Sequence, residues 1–221
     1  TACTTGVNNT AVGRNSLATL TTSSENTAVG NMTMQASTTA VNCTAVGSNS
    51  LYTNTTGSQN TALGQTALYA NTTGSNNTAV GYAALDANTT GSENTAVGTH
   101  ALSANTTGYQ NVAMGRFAGN LITTSHESVA IGYRSLSQNT TGDHNTAIGH
   151  DALEQVSTGS YNTALGRDAG RSITTGANNI CIGENTNDAA NTTGVVAMGS
   201  FALTTNTADY NVAIGYFAMQ N

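Results

Sequence analysis

The side chains that could carry chemistry in this sequence are four histidines, eleven carboxylates and three cysteines. The histidines are His100, His126, His144 and His150. Measured against the most regular feature of the chain, a glycine that recurs at a fixed interval, they fall at four different registers. They therefore do not stack into a ladder of metal ligands, and scattered surface imidazoles are the simpler interpretation. We predict no metal site from them.

The other reactive groups add no catalytic constellation. The eleven acidic residues follow no period, and the calcium-binding repeat Gly-Gly-x-Gly-x-Asp is absent. No Ser, His and Asp share a register that would bring a nucleophile, a base and an orienting acid together. Cys3, Cys43 and Cys181 stand in three different columns of non-adjacent repeats, without the spacing of a disulfide or zinc framework. The sequence thus predicts no enzyme, no catalytic residues and no cofactor.

The amino-acid composition argues against nucleic acid and membrane as partners. Charged residues make up only 7% of the chain, its net charge is −6, and Lys, Pro and Trp do not occur. The five arginines are scattered, so nucleic acid is not an expected partner. No run of 18 apolar residues exists, and we expect no insertion into a membrane.

The elements that must position any functional side chain come from a repeat. Its signature is Asn-Thr-Ala-Val-Gly, as in the stretch from Asn77 to Gly81. The glycines that end the first eleven copies are evenly spaced, at every seventeenth position. The last two steps are each one position shorter. So strict a period is the signature of a solenoid, in which each repeat buries its apolar side chains only against its neighbours. The glycines are Gly13, Gly30, Gly47, Gly64, Gly81, Gly98, Gly115, Gly132, Gly149, Gly166, Gly183, Gly199 and Gly215.

Within one repeat, the residue types predict short strands joined by turns. Thr78 to Val80 alternates in type like a strand, Tyr82 to Leu85 reads as a second extended segment, and Asn88 to Ser92 has turn chemistry. No room remains for a useful helix. We predict an all-β, parallel β-solenoid of about thirteen coils, in which each coil is one repeat of seventeen residues. Residues 1–221 would form a single repeat array. Because the array starts and stops in mid-repeat without caps, we expect a segment of a longer fibre.

In every repeat one small residue stands between a Thr or β-branched apolar residue and the aliphatic residue before the glycine. This column holds Ala in twelve coils and Cys181 in one, although a solvated face would accept larger polar residues. Either this column lines a tight interior, in which case the aliphatic column faces outward and needs a partner, or it meets another chain. Both alternatives predict an oligomer. The structural and oligomer-contact residues that we assign are Ala62, Ala79, Ala96, Ala113, Ala130, Ala147 and Ala164.

A second pattern predicts which side chains fill the coil. The fourth residue after the repeat glycine is usually Leu or Met, but Gly119 and Gly170 replace it, and each is followed three residues later by Ile122 or Ile173. Volume compensation explains this pairing, since interiors tolerate exchanges that conserve volume. We therefore expect both isoleucines to point inward. Asn71 and its equivalents, which hold that register in most of the other coils, should point outward or towards the turn backbone.

The motif from Glu127 to Gly132, Glu-Ser-Val-Ala-Ile-Gly, closely resembles the head repeat of trimeric autotransporter adhesins. The Asn-Thr-Ala-Val-Gly version with its Asn-Thr-Thr-Gly turn is similar to repeats of phage and bacterial tail-fibre proteins. The resemblance spans the chain and its motif recurs thirteen times. It implies a left-handed parallel β-roll, with three chains packed around a threefold axis as a homotrimer.

The functional expectation is a structural or adhesive fibre segment of tail-fibre or surface-adhesin type. It would be extracellular, on a cell surface or a virion fibre, with a host-cell surface or glycan as partner. A purely structural filament is the alternative. An ice-binding solenoid, with the Thr column around Thr61 as its ladder, is disfavoured because Val112 and other aliphatic residues interrupt that column. Exposed aromatic residues are the recognition candidates, in two shared registers: Tyr52 and Tyr69, and Tyr82 and Tyr133.

Overall fold

The computed structural model of the chain describes residues 5–188, 190–205 and 208–220. These residues contain thirteen strands of three residues each and no helix. The chain divides into two compact units, Thr1–Gln110 with β1 to β6 and Asn111–Asn221 with β7 to β13. The strands are β1 (Thr10–Val12), β2 (Thr27–Val29), β3 (Thr44–Val46), β4 (Thr61–Leu63), β5 (Thr78–Val80), β6 (Thr95–Val97), β7 (Val112–Met114), β8 (Val129–Ile131), β9 (Thr146–Ile148), β10 (Thr163–Leu165), β11 (Ile180–Ile182), β12 (Val196–Met198) and β13 (Val212–Ile214).

Within each unit the strands pair in parallel and follow one another in sequence order. Residues at equal repeat positions face each other, so that Thr61 pairs with Thr78 and Ala62 with Ala79. One repeat therefore makes one turn of the solenoid. The predicted all-β parallel β-solenoid, with one sequence repeat per coil, is confirmed.

In β2 to β13 the middle residue points into the coil and is buried. Ala62 and Ala79 are 0% exposed, whereas the residues on either side of them are half-buried or exposed. Side chains alternate across a strand, so each of these strands presents two side chains outward and one small side chain inward.

The geometry of the coil requires the glycine that ends each strand. Gly81 has a φ of 136°, which residues with a Cβ rarely adopt. A Cβ at this position would lie 2.6 Å from the carbonyl oxygen of Gly98 in the next coil. Both the backbone angle and the close stacking of the coils explain why this position is always glycine.

The segment after the glycine is a turn, and the predicted second strand there is wrong. Ala83 and Leu85 adopt φ values of 51° and 52°, and a left-handed backbone at alternate residues cannot continue a β-strand. Hydrogen bonds between coils persist through this turn, for example from the Leu85 amide to the Ala101 carbonyl at 3.0 Å. Each coil thus has one strand, and the rest of it is stacked turns.

The Leu or Met of this turn fills the interior. Leu68 and Leu85 are fully buried, and so are Ile122 and Ile173. The inward orientation predicted for the two isoleucines is confirmed. The glycines with which they are paired occupy the left-handed position that Leu holds elsewhere, with φ of 56° at Gly119.

Asparagine ladders complete the interior, which corrects the expected outward orientation of Asn71. Asn71 is fully buried. Its Nδ2 donates to the carbonyl of Gly74 at 2.9 Å and to Oδ1 of Asn54 at 2.7 Å. The alternative expectation, contact with the turn backbone, is therefore correct. Val156 occupies the same register in its coil and is also buried.

The asparagine that opens most copies of the motif forms a second ladder. Oδ1 of Asn60 accepts from the backbone amide of Asn77 at 2.9 Å, and Nδ2 of Asn77 donates to the carbonyl of Gly91 at 2.9 Å. These side chains are buried and satisfy turn carbonyls that the strands cannot reach. The ladders tie each turn to the coils before and after it.

Candidate functional surface

The outer face of the strands is the most regular surface of each unit. Two side chains per strand lie on it, a Thr or aliphatic residue at the first position and an aliphatic residue at the last. Leu63 is 38% exposed and Leu165 is 48% exposed. Neither outward position carries a charged residue in any strand that the structure describes. We call this surface the strand face; it is an exposed, periodic, largely apolar stripe.

The alanines assigned as oligomer contacts do not lie on the strand face. Their side chains point into their own coil and are at most 1% exposed in the single chain. They cannot touch a second chain while the coil is folded, so this assignment is corrected: they are interior packing residues. Of the two alternatives drawn from the sequence, the structure follows the first, with the alanines inside and the aliphatic residues outside.

The candidate recognition tyrosines lie in two places of the repeat. The rings of Tyr52 and Tyr69 stack in parallel in adjacent coils, 5.2 Å apart with an angle of 4° between their planes. Tyr82 and Tyr133 are exposed directly after the strand-ending glycines. Each of these two packs against a histidine of the following coil, Tyr82 against His100 at 5.3 Å and Tyr133 against His150 at 5.1 Å.

Tyr133 also borders an open surface depression of about 400 Å³ in the second unit. The walls combine aromatic and aliphatic side chains with amide, hydroxyl and guanidinium groups. The guanidinium of Arg134 lies 5.9 Å from the centre of the Tyr133 ring. The lining residues are Phe117, Asn120, Leu121, Tyr133, Arg134, Ser137 and Gln138.

Beside this depression, ion pairs link successive coils. Glu154 is 1% exposed and pairs with Arg134, while the Nε of Arg171 lies 2.8 Å from its Oε2. A terminal nitrogen of Arg167 lies 3.0 Å from Oε1 of Glu184 in the next coil. Two guanidinium groups thus compensate the buried Glu154 carboxylate, as a charge removed from water requires.

The structure brings together two clusters of possible metal ligands that the sequence did not predict. His126, Glu127 and His144 each place one ligand atom within 4.8 Å of the others, as do His150, Asp151 and Asp168. The expectation of scattered histidines is wrong for His126 and His144, whose rings are 5.4 Å apart. Their registers differ by only one position in adjacent coils. Comparing neighbouring registers, and not only identical ones, would have found the pair.

The described cysteines are buried thiols. Cys43 and Cys181 are free and enclosed by the coil interior. Burial raises the pKa of the Cys181 thiol to about 12, against a partly compensating hydrogen bond from Asn187. Burial likewise raises the pKa of Cys43. Since the thiolate is the nucleophile, neither residue is suited to covalent catalysis. Cys3 lies outside the described residues.

Comparisons with protein-family models, curated proteins and solved structures return no match. Among the residues that the structure describes, no helix has the length and hydrophobicity to span a membrane.

Proposed function

We propose that this chain is a segment of an extracellular attachment fibre, of tail-fibre or surface-adhesin type, in which several copies pack through their strand faces. The observation that carries the proposal is the strand face itself. Every described strand turns an exposed or half-buried apolar side chain outward at its last position, and none carries a charge there. Large exposed apolar patches on soluble proteins are commonly interaction surfaces.

A second copy of the same chain is the partner that fits this face. Aliphatic side chains recur along it once per strand, at the spacing of about 4.8 Å between neighbouring strands. Another copy carries side chains at the same spacing, so each aliphatic residue can meet an equivalent one along the length of a unit. Burying the exposed part of such a residue contributes on the order of 1 kcal/mol, and the repeat multiplies that small term. The resemblance to trimeric adhesin heads favours three copies.

The attachment role is supported by the depression beside Tyr133. Aromatic rings offer a flat apolar surface for the carbon-bound hydrogens of a sugar, while amide groups such as that of Gln138 offer both a donor and an acceptor for its hydroxyls. A host-cell glycan therefore has the chemistry that this surface would take. Its position on the turns leaves it clear of the strand face.

Two measurements on the untagged chain test the proposal. Light scattering coupled to size exclusion should give a mass that is a multiple of 22.3 kDa, with three the expected number. A glycan array should then show binding that Tyr133→Ala weakens at least tenfold. Tyr82→Ala is the matched control, because it removes a tyrosine of the same register outside the depression.

The outcomes separate the candidate functions. An oligomer that binds no glycan and no candidate host cell favours the purely structural filament. A monomer whose solutions show thermal hysteresis, a gap between the melting and freezing temperatures, would support ice binding through the outward Thr column. It would overturn the attachment-fibre proposal.

A further inference from the structure

Two histidines and two carboxylates meet on the turns of adjacent coils in the second unit. One ligand atom each from His126, Glu127 and His144 lies within 4.8 Å of the other two. Nδ1 of His144 is 3.3 Å from Oε2 of Glu127, and Nδ1 of His126 is 3.0 Å from Oδ1 of Asp143. All four side chains are partly exposed, so an ion can reach them and their rotamers can adjust.

The backbone fixes where these side chains begin. The amide of His144 donates to the carbonyl of His126 at 3.1 Å, which locks the two turns together. Glu127 and His144 occupy the same left-handed position of successive coils, with φ of 54° and 56°. The Tyr161 ring stacks on the His144 ring at 4.8 Å, with 16° between their planes. Both turns are therefore held before any ligand arrives.

Asp143 supplies an outer contact of the kind that metal-binding histidines use. Ser is the commonest residue at its register, and its hydroxyl accepts from the amide of the preceding coil, as Ser75 does from Ser58 at 3.0 Å. Asp143 keeps this bond, accepting from the His126 amide at 3.0 Å, and its carboxylate also meets the His126 ring. A carboxylate at one imidazole nitrogen orients the ring and increases its basicity, while the other nitrogen binds the ion.

From this arrangement we infer that His126, Glu127 and His144 form a binding site for a divalent transition metal, with Zn²⁺ as the best match. Two imidazoles and one carboxylate are a ligand set that Zn²⁺ accepts, with water in the fourth position. Ca²⁺ and Mg²⁺ prefer oxygen ligands and match this set poorly. Ligand atoms of a tetrahedral zinc lie about 3.3 Å apart, so side-chain movements that shorten the present separations by up to about 1.5 Å close the site. A bound ion would join two successive coils through their side chains.

The test is zinc binding by the untagged, chelator-stripped chain, measured by competition with a chromogenic chelator. We expect one high-affinity Zn²⁺ per chain, and visible absorption bands of four-coordinate Co²⁺ when Co²⁺ replaces it. The double variant His126→Ser, His144→Asn should lose both signals. These substitutions restore residues that the chain itself has at those registers, Ser75 and Asn76, so folding should be unchanged in circular dichroism. Asp143→Asn should weaken binding about tenfold.

His150→Gln is the matched control, because it alters the other ligand cluster and because Gln65 already holds that register. It should leave the zinc affinity and the stoichiometry unchanged. The inference is overturned if the parent binds neither Zn²⁺ nor Co²⁺. It is equally overturned if the double variant binds like the parent, or if only His150→Gln removes the site.

Discussion

The Cδ1 atom of Ile173 lies 3.2 Å from the position that a Cβ atom would take at Gly170. The same hypothetical Cβ would lie 2.8 Å from Cδ2 of Leu153 in the preceding coil. Ile173 therefore occupies the space that a Leu at position 170 would need. Gly170 and Ile173 together fill the interior space that Leu and Asn fill in the common coil.

This relationship predicts a recoverable double substitution. Gly170→Leu alone should lower the free energy of unfolding by about 1–3 kcal/mol, since it overpacks a filled interior. Adding Ile173→Asn should recover most of that loss, because the pair then matches Leu85 and Asn88 of the common coil. Thermal unfolding of both variants and the parent measures the effect. Equal melting temperatures for the single and double variants would contradict the compensation.

The buried asparagine ladder predicts a large cost for a small truncation. Nδ2 of Asn88 donates to the Gly91 carbonyl at 2.9 Å and to Asn71 Oδ1 at 2.8 Å, and its Oδ1 accepts from Asn105 at 2.8 Å. Asn88→Ala removes these bonds and leaves Oδ1 of Asn71 without its donor, at about 1–3 kcal/mol for a buried group left unpaired. The Gly91 carbonyl keeps its bond from Asn77. Denaturant unfolding should show the loss.

A matched control separates the ladder from general surface effects. Thr90→Ala alters the same turn at an exposed position outside the ladder, and it should change stability by less than about 0.5 kcal/mol. If both variants are equally stable, the asparagine ladder does not stabilise the coil.

Much of this interior could be predicted from the sequence, and the failures have one physical cause. The period predicts the parallel, in-register strands. The pairing of Gly170 with Ile173, which conserves side-chain volume, predicts that the isoleucine side chain points inward. What failed was the segment from Tyr82 to Leu85, whose residue types resemble a strand. Its left-handed turns are held by hydrogen bonds between coils, and a single repeat does not reveal these bonds. The outward expectation for Asn71 failed likewise, because its partners belong to the turn and to the preceding coil.

The candidate surfaces were less predictable. The sequence correctly marked the Ala and aliphatic columns as opposite faces, but alternation alone leaves open which of them is inside. The pairing of His126 with His144 depends on contact between neighbouring registers of adjacent coils. That contact follows from the stacking, and not from the period alone.

The buried thiol of Cys181 predicts a pH dependence of stability. Its pKa in the folded chain is raised from 9.0 to about 12, so the folded state holds this proton more tightly than the unfolded state. The thiol therefore contributes stability below pH 9, and this contribution is lost as the pH rises from 9.0 towards about 12. Cys181→Ala, which restores the residue of the other coils, should flatten that part of the stability profile. Thermal melts from pH 8 to pH 11 compare the two chains, and parallel profiles would contradict the prediction.

Neighbouring residues of β4 give the sharpest test of the strand face, because they point in opposite directions. Ala62 is 0% exposed and Leu63 is 38% exposed. Ala62→Glu places an unpaired carboxylate in the interior, and we expect it to disrupt folding, at about 3–5 kcal/mol or more. Leu63→Glu can keep its charge in water within the single chain, so the coil should stay folded by circular dichroism.

The oligomeric mass of outward-facing variants tests whether the strand face joins copies of the chain. If the strand face joins copies of the chain, Leu63→Glu with Leu165→Glu should yield a folded protein whose mass by light scattering falls to that of one chain. Thr61→Ser is the control, since it changes an outward residue of the same strand without adding charge, and it should keep the parent's mass. A folded Leu63→Glu, Leu165→Glu variant that retains the parent's oligomeric mass would show that the copies associate through another surface. A parent that is already a monomer would remove the basis for a multi-chain fibre.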